Sequence, residues 1–105
     1  MSVRDVLIEA KKLISDENNW IKNNYTDSEG CFCAAGAVRE ATDWGIVQNG
    51  YTPEAEKAFW FLSSISKELY PMRGIKGNII EFNDHPKTTH AEIISVFDEA
   101  IKRES

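Results

Sequence analysis

Three helix openings are written into this chain, and each is followed by apolar residues at helical spacing. Ser2 with Asp5, and Thr89 with Glu92, match the capping box, in which a hydroxyl and a carboxylate exchange bonds with N–H groups of the first turn. Thr52-Pro53 pairs an N-cap with the residue best suited to a first helical position. Behind Ser2, the residues Val3, Val6, Leu7, Ala10, Leu13 and Ile14 form one stripe, with Arg4, Glu9, Lys11, Lys12 and Glu17 off it. Behind Pro53, Ala55, Ala58, Phe59, Leu62, Ile65 and Leu69 share a face until Pro71 ends the helix. Behind Thr89, Ile93, Ile94, Val96, Phe97, Ala100 and Ile101 cover a wide arc, which predicts the most buried helix of the set.

A further helix is predicted from Cys31 or Phe32 to Trp44, with Gly45 just past its end. Asn18-Asn19 weakens the first helix and Thr26 to Gly30 is turn material, with Trp20, Ile21 and Tyr25 as anchors to the core. Met72 to Asn78 holds two glycines and no period, so it reads as a loop. Ile79 to Phe82 reads as extended or as one helical turn. With no repeat and no linker, the 105 residues predict a compact all-α single domain. It has four helices and a short irregular or extended segment before the last.

The net charge of −5 argues against a general nucleic-acid binder, which needs a basic face to displace counterions. The longest apolar runs are far too short for a membrane span, and Arg4 and Asp5 break any secretory pattern near the start. Cys31 and Cys33 stand too close to bridge without strain, so reduced thiols and a cytoplasmic location are expected.

The run Cys33-Ala34-Ala35-Gly36-Ala37 brings small side chains to a helix opening. It suits either an anion at the free N–H groups or close approach of another helix. Ala34, Ala37 and Ala41 recur at three and four, which favours packing of this face on the first and last helices.

Three chemistries compete. Cys31, Cys33, His85 and His90 are nominal zinc ligands, but one residue between the cysteines is fewer than structural zinc sites use, so no metal is assigned. Cys33 with Asp84 and His85 or His90 could serve covalent catalysis. Packing explains the thiol equally well and turn chemistry explains Asn83-Asp84, so no catalytic residue and no cofactor are assigned. The third chemistry is binding. Trp60 lies about 160° from the centre of its helix's apolar stripe, and with Phe61 it suggests a second buried face in a homo-oligomer.

The chain resembles a family of short uncharacterised proteins of bacteria and their phages. The matching residues are Trp20, Cys33 to Ala37 (a Cys-Ala-x-Gly-Ala motif), Phe82-Asn83-Asp84, and Thr88 or Thr89 leading into Ala91-Glu92-Ile93. It departs at Ala35, where the family tends to carry a larger apolar residue, and in longer polar loops. The resemblance implies the helical fold, and by analogy a small phage inhibitor acting in the host cytoplasm.

The expected function is therefore a cytoplasmic homo-oligomer that sequesters a nucleotide-like small ligand in an anti-defence role. Candidate ligand residues are Cys33, Gly36, Arg39, Arg73, Lys76, Asn83 and Asp84, with Trp60 and Phe61 at the interface. The rival is an inhibitor or adaptor that binds a host protein through an apolar helix face. A small Cys/His/Asp enzyme stands third.

Overall fold

The computed structural model describes residues 2–42 and 52–104. Among them the chain forms five α-helices: α1 (Val3–Leu13), α2 (Ala34–Ala41), α3 (Pro53–Leu69), α4 (Ile79–Asp84) and α5 (His90–Arg103). The fold is all-α. Two 3-10 turns, Glu17–Asn19 and Pro71–Arg73, follow α1 and α3.

The three helix openings form as the spacing predicts. Ser2 Oγ accepts from Asp5 N–H while Asp5 accepts from Ser2 N–H, and Thr89 and Glu92 do the same for α5. Thr52 Oγ1 accepts from Ala55 N–H, with Pro53 in the first turn. Val6, Leu7, Ala10 and Ile14 of the first segment meet Ala58, Phe59, Leu62 and Ile65 of α3 and Ile93, Val96, Phe97 and Ala100 of α5 in one core.

Elsewhere the sequence expectation shifts. The second helix begins at Ala34 rather than at Cys31 or Phe32, because Cys33 is extended and caps it: its Sγ accepts from Gly36 N–H at 3.3 Å. It ends at Ala41; the predicted end at Trp44 and Gly45 lies outside the described residues. The most buried helix is this one, not α5, since Ala34, Ala35, Gly36, Ala37 and Val38 are all enclosed. α2 packs chiefly on α1, α3 and α4, while α5 packs on α1 and α3. Gly36 faces no helix: a Cβ there would overlap the Tyr25 carbonyl.

The segment before the last helix is helical rather than extended. Asn78 Oδ1 caps it through Ile80 N–H, and Ser63 Oγ, inside α3, accepts from Ile79 N–H at 2.8 Å. α4 therefore starts on α3. It carries the fully buried Phe82 and Asn83 toward the opening of α2.

Candidate functional site

Asn83 lies in the last turn of α4 with no exposed surface, and all four of its side-chain hydrogen bonds reach outside the backbone of α4. Its Oδ1 accepts from Trp20 Nε1–H (2.7 Å) and from Ala34 N–H (3.0 Å). Its Nδ2 donates to Ile21 C=O (3.1 Å) and to Asp84 Oδ1 (3.0 Å). One amide thus ties the first turn of α2, the loop after α1 and the neighbouring carboxylate together. The expectation that Asn83 and Asp84 bond the turn leading to Pro86 gives way to these long-range partners. His85 serves that turn instead, with its Nδ1 accepting from Lys87 N–H.

Asp84 Oδ1 also accepts from Asn23 N–H at 2.8 Å, and Lys22 Nζ donates to His85 C=O at 2.7 Å. Asn23 takes a left-handed backbone, φ 74°, which an Asx residue tolerates better than most. The loop from Trp20 to Phe32 returns on itself: Ile21 N–H donates to Phe32 C=O, Phe32 N–H to Asn19 C=O, and Cys33 N–H to Tyr25 C=O. Asp27 stiffens its tip by accepting from Cys31 and Glu29 N–H, bonds that hold its carboxyl below the usual range, Cys31 most.

Between this loop and α4 lies a cleft of about 320 Å3 lined by Asn23, Asn24, Tyr25, Cys33, Ile80 and Asp84. Tyr25, expected as an anchor to the core, is 43% exposed and forms one wall. A smaller cleft of about 170 Å3 shares Tyr25 and adds Gly36, Arg39 and Glu40. The Arg39 guanidinium stands 4.5 Å over the Tyr25 ring, a cation–π distance.

Of the residues singled out in the sequence, Cys33 and Asp84 line the first cleft, with Asn83 buried and bonded to Asp84, and Gly36 and Arg39 line the second. Arg73 does not join them. It makes a two-pronged bond to Glu92 (3.1 and 2.7 Å), donates to Thr88 Oγ1, and lines a separate cleft with Tyr70 and Lys87. That pairing holds the Glu92 carboxyl below its ordinary range and raises the guanidinium. Lys76 is exposed in the loop before α4, where its N–H donates to Glu81. Trp60 is 54% exposed on α3, edge-on to Phe59, whereas Phe61 turns partly into the core.

Burial pushes the Cys33 thiol up, against the smaller lowering effect of the Gly36 N–H. His90 points its Nε2 at Ile14 C=O (2.7 Å) beside the Trp20 ring, and Cys31 Sγ faces Asn18 C=O. Cys31, Cys33, His85 and His90 therefore serve four different contacts, and the described residues hold no cluster of three or more such side chains placed for a metal.

Sequence reasoning missed Asn23, Asn24, Tyr25 and Ile80 as residues of the first cleft. The available signal was an Asn-Asn-Tyr run in a polar loop, where an aromatic has no helical stripe to join. Curated proteins give no match to the chain, and neither do solved structures. A family model does match, over residues 1–103, and the protein belongs to that family of unknown function, DUF6197.

Proposed function

We propose that this protein is a non-catalytic homo-oligomer that holds a small nucleotide-like ligand in the cleft between Tyr25 and Asp84. One observation carries the reading: a fixed carboxylate and an exposed aromatic face share a cleft at the lower end of the ligand-pocket size range. Asp84 Oδ1 is held by Asn23 and Asn83, while Oδ2 makes no hydrogen bond within the described residues. That free oxygen suits an amino or ring N–H donor on a base, and the Tyr25 ring suits its flat face. Asp84 repels phosphate, so the base takes this cleft, and a phosphate is drawn to the Arg39 guanidinium, which lies over the Tyr25 ring and offsets the charge of Glu40 in the same cleft. Capture of signal nucleotides in a phage-infected cell is an analogy with small phage inhibitors, and it fits the same chemistry.

Binding fits the site better than catalysis. A nucleophilic cysteine needs a lowered pKa, and burial moves Cys33 the other way. Isothermal titration with a panel of nucleosides and nucleotides tests the reading. Binding by wild type, weakened by Asp84→Asn and lost in Tyr25→Ala with the circular dichroism unchanged, supports it. Absence of any base-bearing ligand, both in titration and in native mass spectra of protein taken directly from cells, removes it.

A further inference from the structure

We propose that the partner in the homo-oligomer is a second copy docked antiparallel along the outer face of α3, with Trp60 seated over the partner's Ser64; this rests on the homo-oligomer reading above. The outer face of α3 exposes Glu56, Lys57, Trp60, Ser64, Lys67 and Glu68. With each residue turning about 100°, these six fall within an arc of about 120°. The centre of the face is Trp60 and Ser64, one large and one small. Glu56 and Lys67 lie along one edge, Lys57 and Glu68 along the other, so each edge carries one acid and one base eleven residues apart.

That arrangement is self-complementary. A two-fold axis midway between Trp60 and Ser64 lays each edge against the same edge of the partner, running backwards. Glu56 then meets the partner's Lys67, and Lys57 meets the partner's Glu68, twice each by symmetry. No ion pair among the described residues engages Glu56, Lys57 or Lys67, whereas Glu68 already holds Arg103 at 2.7 and 2.8 Å. The stronger new pair is therefore Glu56 with the partner's Lys67. An open groove of about 450 Å3 beside Trp60, lined by Pro53, Glu56 and Lys57, gives that lysine a path. Parallel docking would also match charges across the edges, but it sets Trp60 on its own copy and leaves Ser64 facing Ser64 across a gap. The antiparallel arrangement fills space with a large residue over a small one.

Sedimentation velocity across a concentration series tests this. Wild type dimerises, and Trp60→Ala raises the dissociation constant by about thirtyfold or more, as loss of a central Trp anchor does, with helical circular dichroism kept. Glu56→Lys also weakens the dimer by setting lysine against the partner's Lys67. Adding Lys67→Glu restores it in the antiparallel arrangement, and worsens it in a parallel one by facing the partner's Glu68. A monomeric wild type removes the homo-oligomer reading itself. A wild-type oligomer indifferent to both Trp60→Ala and Glu56→Lys places the interface elsewhere and overturns this proposal alone, as does a charge swap that fails to rescue.

Discussion

An amide fits position 83 because its surroundings demand an acceptor for two N–H groups and a donor for a carbonyl and a carboxylate. Alanine there strands the Trp20 indole N–H and the Ala34 N–H in a buried site. Unsatisfied groups of this kind cost about 1–3 kcal/mol each. Asn83→Ala should therefore lower the urea unfolding free energy by about 2–4 kcal/mol. Asn83→Asp keeps the acceptor but sets a second carboxylate against Asp84, so its stability should recover part-way as the solution is acidified. Gly36 is constrained by shape instead. The Tyr25 carbonyl occupies the space of a Cβ, so Gly36→Ala must push the cleft wall away, destabilising by about 1–3 kcal/mol. It should also alter ligand affinity, read by titration. Cys33, 3% exposed and with its thiol pushed up, should resist a disulfide reagent at pH 8 in native protein and react at once in urea.

Among the elements, α5 is fastened at its start. Glu92 closes the capping box with Thr89 and also receives Arg73, so one carboxylate serves the helix and the loop after α3. Its folded pKa is lowered, so its contribution is complete above the ordinary carboxylate range and fades as pH falls through the depressed value. The acid limb of a stability–pH curve should therefore flatten in Glu92→Gln relative to wild type. The caps of α1, α3 and α5 could be read directly from sequence because each partner sits three residues away. The same holds for the apolar stripes. The site could be read only in outline. Three of the four partners of Asn83 lie 49 to 63 residues away, so its neighbours suggest a turn and give no sign of Trp20 or Ala34. In sequence Arg73 reads as available for phosphate for the same reason: Glu92 lies 19 residues on, at no helical or strand period. The sequence reads Cys33 as inside a helix because thiols are uncommon caps and the alanines after it carry strong helix propensity.

For the molecule as a whole, α1, α3 and α5 share one core that also takes in α2 and α4. The expectation of one domain over residues 1–105 is checked by unfolding. Circular dichroism and tryptophan fluorescence should give coincident two-state curves, and a biphasic trace would divide the chain. The Asn83 network has a use in such experiments beyond holding the site. The Trp20 indole proton rests on the same amide that donates to Asp84, a single residue from the cleft. A ligand drawing on the Asp84 carboxylate should tug on that amide, and the change should pass to one proton in a sparse region of the NMR spectrum. The protein thus contains its own reporter, and titrating an isotope-labelled sample while watching that one resonance would reveal occupancy without any added dye.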